Sequence, residues 1–396
     1  MSGDERALLK ILKNSLKKSK KKYFITPGIF DLAKQNSVVS LIYDSVETAD
    51  PRISQEIDRI TRSMVLQSYH LLFETVKICD FLTDAGIKTV VLKGAAVSSF
   101  YPVPEYRKSG DIDLLVGGED ELRRAAAVMK KNGYAVAKEQ HALHHIVFDS
   151  PFGIEVEIHK MLAEPFDNRR INEYMDRRLK YAMKGSVKRD VCGFPLRMLG
   201  DDFQAFELLL HMLQHFLFSG FGLKLLCDWV VYWNGRIGSS EDPVTEKYLH
   251  LVREARISGF SDMITSVCYY FLGLSDPAYR NLTRYRQGDP ITVSEAAAFL
   301  REVFDGGDFG HAGKERMLIL RDSSFISYVI AFQHQMYLNF PKAGKVPPLW
   351  PALWTVTLLR FFYNNKKVRG GESAVSIIKN AGKRSRIMSK LSLWRR

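Results

Sequence analysis

Residues 111–116 read Asp-Ile-Asp-Leu-Leu-Val, and this short stretch constrains the fold more than any other part of the chain. Side chains of a β-strand alternate between its two faces, so Asp111 and Asp113 point the same way while their apolar neighbours enter a core. Two carboxylates about 6–7 Å apart on one strand face repel each other unless a cation lies between them. Mg²⁺ prefers carboxylate and phosphate oxygens, and Mn²⁺ accepts the same ligands. The stretch therefore predicts a rigid strand that presents a divalent-metal site.

The elements before this strand have a characteristic order: a β-branched strand at residues 88–92, a Lys-Gly turn, a helix and a loop. The sequences Val-Val-Leu-Lys-Gly, ending at Gly94, and Arg-Lys-Ser-Gly-Asp-Ile-Asp, beginning at Arg107, resemble the polymerase-β-like nucleotidyltransferase superfamily. More narrowly, they resemble its bacterial branch of poorly characterised nucleotidyltransferases, in which Leu-Lys-Gly replaces the more usual Gly-Ser. The resemblance covers roughly residues 60–235. It implies an EC 2.7.7-like enzyme that moves a nucleoside monophosphate from an NTP to a hydroxyl or phosphate acceptor.

The resemblance also implies three metal-binding carboxylates, of which Asp111 and Asp113 supply two. In the family the third acid lies two residues before a histidine on a neighbouring strand, which corresponds here to Glu157 and His159. Glutamate replaces the more usual aspartate at this position. Its longer side chain could reach the metal or act as a general base on the acceptor hydroxyl. Glu155 lies on the same predicted strand face and is the alternative third acid.

Residues flanking the first acidic strand are candidates for nucleotide binding. Gly94, at a strand-to-helix turn, lets backbone amides approach a phosphate, and Lys93 adds a point charge for the β- or γ-phosphate. Arg107 is a candidate clamp for the triphosphate or the substrate. Ser109 and Gly110 give the backbone freedom where it enters the acidic strand. The simpler alternatives are an ordinary turn glycine and a surface arginine.

Histidines cluster at two places in the sequence. His141, His144 and His145 precede the second acidic strand, but their spacing matches no familiar zinc site and no cysteine is near, so zinc is disfavoured. His211 and His215 lie four residues apart on one face of a predicted helix, a spacing that is compatible with metal binding.

The resembling family carries histidines on the corresponding helix, followed by a basic residue and an Asp-Trp pair. Lys224, Asp228 and Trp229 match that sequence. Together with His211 and His215 they are candidates to line the nucleotide or acceptor cleft. Packing in the core with hydrogen-bonded imidazoles is the alternative.

The formal net charge is +13, and its distribution matters more than its size. Residues 1–22 carry +6 and residues 366–396 carry +9, so the remainder is close to neutral. The basic tails could contact nucleic acid, an anionic membrane or an acidic partner, or they could remain solvated. A near-neutral body argues against a long nucleic-acid track. A small molecule or a protein is therefore the favoured acceptor.

Three further features bear on the compartment. The four cysteines are scattered without ligand-like spacing, so we expect reduced thiols in a cytoplasmic protein. The first residues lack the continuous apolar segment of a secretory signal. Residues 349–363 are apolar, but Pro351 and Arg360 interrupt them and they are shorter than the roughly 20 residues of a membrane span. They are predicted to form a buried helix, and no transmembrane segment is expected.

The chain is predicted to be α+β, with a small mixed-sheet core flanked by an N-terminal helical segment and a mostly helical C-terminal region. The predicted divisions are a basic arm, an α/β core, a helical domain and a basic tail, at residues 1–54, 55–165, 166–365 and 366–396. Short helices are expected at residues 3–19 and 27–46, a long helix at residues 54–85 and another helix at residues 315–337. Loops and small helices are expected at residues 163–200. Three functions remain open: an active enzyme, a catalytically degenerate nucleotide-binding regulator, and an RNA- or membrane-associated scaffold acting through its tails.

Overall fold

A computed structural model describes most of the chain: residues 1–137, 144–166, 168–218, 220–236, 242–306 and 346–368, with positions 333, 336, 340, 391 and 393. Three predicted features lie outside these residues. They are His141, nearly all of the helix expected at residues 315–337, and nearly all of the basic tail.

Helices dominate the described part of the chain. The first half contains α1 Gly3–Ser15, α2 Pro27–Gln35, α3 Val39–Ile42, α4 Pro51–Asp84, α5 Lys93–Ser98, α6 Glu119–Lys131 and α7 Arg169–Lys184. The second half contains α8 Asp201–Phe218, α9 Leu223–Arg236, α10 Pro243–Glu254, α11 Ser258–Val267, α12 Asp276–Thr283, α13 Val293–Gly306 and α14 Trp350–Val368. A π-helical turn, Cys268–Leu272, extends α11.

The strands form a two-stranded and a seven-stranded sheet. The first pairs β1 Tyr23–Phe24 with β2 Val46–Glu47. The second contains β3 Val90–Val91, β4 Asp111–Leu115, β5 Ala135–Val136, β6 His145–Asp149, β7 Glu155–His159, β8 Val187–Val191 and β9 Phe194–Met198. Their order is β5-β6-β7-β4-β3-β9-β8, with β4 parallel to β7 and antiparallel to β3. The predicted α+β class with a mixed sheet is confirmed.

The long helix α4 supports one face of this sheet. Asp50 caps its first turn by accepting from the Arg52 amide, and Pro51 begins the helix without losing a hydrogen bond. Gly86, with φ of 69°, follows its end. Apolar side chains of α4 and α6 pack beneath Ile112 and Val156 in one buried cluster. This core fixes β4 and β7 as a rigid pair.

The opposite face of the sheet packs against the helical region. Leu115 of β4 joins a larger core together with residues of α1, α8 and α9. Because side chains alternate along a strand, Asp111 and Asp113 share the side of Leu115. The acidic residues therefore lie between the sheet and the helices that follow it.

The expectation of loops and small helices at residues 163–200 was wrong. This segment forms α7 and the hairpin β8–β9, whose turn residues Cys192 and Gly193 have φ of 52° and 86°. Two positive φ values are typical of the tight turns that match the twist of a hairpin. Strand β9 joins the sheet parallel to β3, pairing Met198 with Val91. Sheet strands therefore lie on both sides of the predicted boundary at residue 165.

The N-terminal segment is more integrated than an arm. Leu8 and Leu12 of α1 are fully buried, whereas the lysines between positions 17 and 22 are exposed. The helical segment at residues 27–46 is divided, because α2 ends before Asn36, α3 follows it, and a short helical turn leads into β2. Asn36 is buried, and its side-chain oxygen accepts from the Leu223 amide, which ties this break to α9.

Two further predictions can be compared with the structure. The four cysteines are free thiols, as expected. The helix expected near residues 349–363 forms as α14, but it was wrongly predicted to be buried, because Leu358 and Leu359 are exposed. Apolar content does not by itself bury a helix, which also needs a partner surface. Within the described residues, no helix combines the length and the hydropathy required to cross a bilayer.

Candidate active site

Asp113 is the centre of a buried polar cluster on β4. The residue is 3% exposed, and its Oδ1 accepts a hydrogen bond from Lys93 Nζ at 2.8 Å. The same oxygen lies 2.8 Å from His159 Nε2. Burial by itself would raise the pKa of Asp113, but the Lys93 charge and the His159 hydrogen bond bring it below its ordinary value. Asp113 is therefore a carboxylate at neutral pH.

Asp111 lies at the rim of the same strand, exposed to solvent. The negative charge of Asp113 is the main reason that its pKa is raised, followed by burial. This repulsion is the destabilisation that a cation between the two carboxylates would relieve. The metal site expected at this pair therefore remains a prediction.

Glu157 faces Asp113 across the parallel strands β4 and β7, in direct register. His159 Nε2 lies 3.1 Å from Glu157 Oε2, so this imidazole bridges both carboxylates. Burial would raise the pKa of Glu157, yet the hydrogen bond with His159 lowers it overall. Ligand atoms of Asp113, Glu157 and His159 lie within 4.8 Å of one another and could hold one ion. Glu155, opposite Asp111, is exposed at the strand end.

Lys93 begins α5 in an unusual backbone conformation. Its φ of 43° lies in the left-handed region, which lysine seldom adopts. The preceding Leu92 amide donates to the Asp113 carbonyl at 2.9 Å, so this turn is joined directly to β4. Burial opposes the charged form of Lys93, but the charges of Asp113 and Glu157 raise its pKa overall. The strained turn places a permanent ammonium against the central carboxylate.

Gly94 and Ser109 are in close contact beside this turn. A Cβ on Gly94 would lie 3.0 Å from the Ser109 hydroxyl oxygen, whereas a Cβ on Gly110 would meet open space. A depression next to the carboxylates is lined in part by Gly94, Ser98 and Ser109, together with Asp111 and Asp113. The predicted nucleotide-binding residues at positions 94 and 109 are thus neighbours of the acidic pair.

Arg107 faces inward and forms a buried ion pair. Its Nε and one terminal nitrogen donate to the two carboxylate oxygens of Asp228 on α9, at 2.8 and 2.7 Å. Its other terminal nitrogen donates to the Ser109 hydroxyl at 2.8 Å. Tyr101 also donates to Asp228, at 2.6 Å. These contacts join the loop before β4 to α9 and suit a positioning role for Arg107, while the clamp stays a prediction.

Helix α8 presents a row of titratable residues toward the site, at intervals of four. Glu207 is buried, and burial raises its pKa to about 7 although the nearby Lys93 charge opposes this. The His211 and His215 rings are 4.3 Å apart, and burial lowers the pKa of both. The sequence analysis missed Glu207. Its spacing of four residues from His211 in an otherwise apolar helix was the available signal.

Lys224 and Asp228 lie on α9, on the helical side of the site. Lys224 is 9% exposed, and its charge slightly lowers the pKa of both Asp111 and His211. Asp228 is fully buried against Arg107, and Trp229 packs in the core beside it. Lys224 on α9 and His215 on α8 are therefore close enough to the carboxylates to interact with them electrostatically.

The rings of His144 and His145 lie next to the ring of His159. The nearest ring nitrogens of His144 and His145 are 2.6 Å apart, and His145 pairs with His159 across β6 and β7. Burial and the neighbouring His145 lower the pKa of His144 to about 3, and burial also lowers that of His145. Both rings are therefore neutral at pH 7.

The structure thus combines a mixed sheet, facing carboxylates on two parallel strands and a Lys-Gly helix start. Residues 27–273 match a family described as "Uncharacterised nucleotidyltransferase", and the chain belongs to this family. The match is wider than the region of resemblance seen in the sequence, since it begins at α2 and ends after α11.

Comparisons with individual proteins add little to this assignment. The chain is similar to a protein whose structure is described as an antigenic nucleotidyltransferase-like protein from Paracoccidioides brasiliensis. The identity is 13% and the TM-score 0.32, over 46% of this chain and 88% of that one. No curated protein sequence gives a significant match.

Proposed function

We propose that this protein is a Mg²⁺-dependent nucleotidyltransferase that transfers a nucleoside monophosphate from an NTP to a hydroxyl or phosphate acceptor. Asp111, Asp113 and Glu157 would hold the metal, and the same residues would accept Mn²⁺ in place of Mg²⁺. A small molecule or a protein is the favoured acceptor class, because the body of the chain is close to neutral.

The observation that carries the proposal is the register of β4 and β7. It sets Asp113 opposite Glu157. Asp111 lies two residues earlier on β4, at the solvent-exposed end of the strand. Three carboxylates with oxygen ligands suit hard divalent cations. Bound divalent metal would neutralise charge on the α-phosphate and on the leaving pyrophosphate.

The remaining residues would bind and orient the nucleotide. A bound cation would neutralise part of the negative charge of Asp113. The Lys93 ammonium would then contact the triphosphate. Gly94 and Ser109 line the depression beside Asp111, where phosphate oxygens could meet backbone amides and a hydroxyl. Arg107 would hold Ser109 in place through its 2.8 Å hydrogen bond, while Asp228 fixes the guanidinium.

The reaction forms one bond and breaks one bond. The acceptor oxygen bonds to the α-phosphorus, and the bond from that phosphorus to the bridging oxygen breaks, which releases pyrophosphate. A hydroxyl acceptor must lose its proton. As the alternative to holding the metal, Glu157 would orient that hydroxyl or accept the proton as a carboxylate.

A catalytically degenerate nucleotide-binding regulator is the second candidate. The Lys93–Asp113 ion pair favours it, because a built-in ammonium already neutralises the central carboxylate and competes with a metal. A scaffold acting through its tails is a third reading, and the exposed lysines after α1 are the described feature that supports it.

The first experiment is a thermal-shift panel with ATP, GTP, CTP and UTP, each with and without Mg²⁺. The wild type is compared with Asp111→Asn, which removes a rim carboxylate, and with Glu155→Gln as a matched control on the neighbouring strand. We expect metal-dependent stabilisation by at least one nucleotide in the wild type and the control, and its loss in Asp111→Asn. No stabilisation by any nucleotide with Mg²⁺ or Mn²⁺ would overturn the proposal.

Label transfer then separates the enzyme from the regulator. The protein is incubated with the stabilising NTP, labelled at the α-phosphate, and with fractionated small molecules and proteins as acceptors. Transfer by the wild type but not by Asp111→Asn supports the enzyme. Binding without transfer to any acceptor supports the regulator. Repeating the assay after replacing the exposed lysines between positions 17 and 22 with glutamine tests these residues, which should be dispensable for transfer.

A further inference from the structure

His144, His145 and His159 lie close together, and two of them are near Glu157. His145 lies directly opposite His159 on paired strands, and His144 precedes β6. Their ring centroids are 4.2, 5.0 and 6.0 Å apart, and one nitrogen from each lies within 4.8 Å of the others. His144 and His159 are each 5% exposed. Burial favours the neutral form of an imidazole, which is the form that binds metals.

Three of the separations among the histidine nitrogens and the Glu157 oxygen lie within about 1 Å of the edge of a tetrahedral zinc site. Zinc binds imidazole nitrogen and carboxylate oxygen at about 2.0–2.1 Å, which sets neighbouring ligands about 3.3 Å apart. Here His144 Nε2 and His145 Nδ1 are 2.6 Å apart, and Glu157 Oε2 lies 3.1 Å from His159 Nε2 and 4.0 Å from His145 Nδ1. Shifts of less than about 1 Å would bring these separations to the ideal edge.

We propose that His144, His145, His159 and Glu157 form a second metal site, selective for a divalent transition metal such as Zn²⁺. Three nitrogen donors suit Zn²⁺, whereas Mg²⁺ prefers oxygen ligands. The side chain of Glu164, with Oε1 3.6 Å from His144 Nε2, places a further carboxylate beside the cluster. The spacing in the sequence disfavoured zinc because the decisive ligand, His159, lies 14 residues after His145 and reaches it only through sheet pairing.

This site does not depend on the nucleotidyltransferase proposal, although the two share Glu157 and His159. Asp111 belongs only to the hard-cation site, and His145 belongs only to the nitrogen-rich site. A metal held by His159 Nε2 would take that nitrogen from Asp113, which it now contacts at 2.8 Å. Occupancy of the second site would therefore alter the carboxylate that the first site uses.

The test is titration of the full-length protein with Co²⁺, a spectroscopic substitute for Zn²⁺, followed by competition with Zn²⁺. A tetrahedral site with imidazole ligands gives strong visible absorption, whereas octahedral oxygen ligation gives weak absorption. We expect one strongly absorbing Co²⁺ per chain, displaced by Zn²⁺ and not by excess Mg²⁺. His144→Gln and His145→Gln should each weaken binding by more than about 10–100-fold, the loss that removal of a residue behind a ligand typically causes.

Two controls keep the result interpretable. His70→Gln removes an exposed histidine on α4, and Asp111→Asn removes a carboxylate outside the set. Both should retain the Co²⁺ spectrum, and far-ultraviolet circular dichroism checks that each variant is folded. Weak absorption alone in the wild type would overturn the proposal, as would Co²⁺ affinity unchanged in both folded His144 and His145 variants. Absence of NTP binding by the wild type, together with an intact Co²⁺ spectrum, would reject the nucleotidyltransferase proposal alone.

Discussion

Lys93 Nζ and Asp113 Oδ1 are 2.8 Å apart, in an ion pair whose carboxylate is almost completely buried. Lys93 is the first residue of α5, and its backbone has a left-handed conformation. A cation supplied by the chain thus occupies the place beside Asp113 where the charge repulsion among the carboxylates is greatest. Any metal that binds there must share Asp113 with this ammonium.

Lys93→Met tests that competition. Removing the ammonium should tighten Mn²⁺ binding several-fold, because Asp113 loses its built-in partner, and weaken NTP binding about 10-fold by removing a phosphate contact. Isothermal titration with Mn²⁺ and with NTP measures both. Lys160→Met, at a surface pair with Glu119, is the control and should change neither. Weaker Mn²⁺ binding in Lys93→Met would show that the lysine organises the carboxylates instead of competing for them.

Asp111→Ala and Asp113→Ala should differ in stability. Asp113→Ala leaves the Lys93 ammonium and His159 without their buried partner and should lower the free energy of unfolding by about 1–3 kcal/mol. Asp111→Ala removes an exposed, repelled carboxylate and should change it by less than about 0.5 kcal/mol. Denaturant unfolding measures both. Both variants should lose nucleotidyl transfer, and equal destabilisation would contradict the central place of Asp113.

The Arg107–Asp228 pair should be coupled energetically. Arg107→Met or Asp228→Leu leaves a buried charge unpaired and should cost about 3–5 kcal/mol, whereas the double variant should cost less than the sum. A double-mutant cycle in denaturant measures the coupling. The surface pair Arg123–Asp120 is the control and should couple by no more than about 1 kcal/mol. Additive losses at Arg107 and Asp228 would mean that the pair does not fix α9 to the loop.

Glu207 should make the stability depend on pH. Its pKa of about 7 in the folded protein exceeds the ordinary 4.5, so the folded state holds the proton to higher pH than the unfolded state. Stability should therefore fall as pH rises from about 4.5 to above 7. Glu207→Gln removes this loss. The stability of the variant relative to the wild type should be about 1–3 kcal/mol higher at pH 8 than at pH 5. Thermal unfolding across this range measures it, with exposed Glu173→Gln as the control. A wild-type slope retained in Glu207→Gln would assign the pH dependence to another group.

Local periodicity allowed several elements to be predicted from the sequence. The long helix expected from Ser54 was observed as α4, and the acidic strand expected from Asp111 was observed as β4. Both depend on hydrophobic repeats within a few residues. The β8–β9 hairpin was missed because its turn, Cys192-Gly193, begins with a residue that rarely adopts a positive φ. Its place in the sheet depends on pairing with β3, about a hundred residues earlier in the chain.

The sequence alone determined that Asp111 and Asp113 share one strand face and that Glu157 and His159 share another. The two-residue period of a strand is a local property. The tertiary structure decided which partners these groups meet. It directs Arg107 inward to Asp228 and joins His145 to His159. Such contacts depend on sheet register and helix packing between distant segments. Burial strengthens them, because water no longer competes for the same charges and hydrogen bonds.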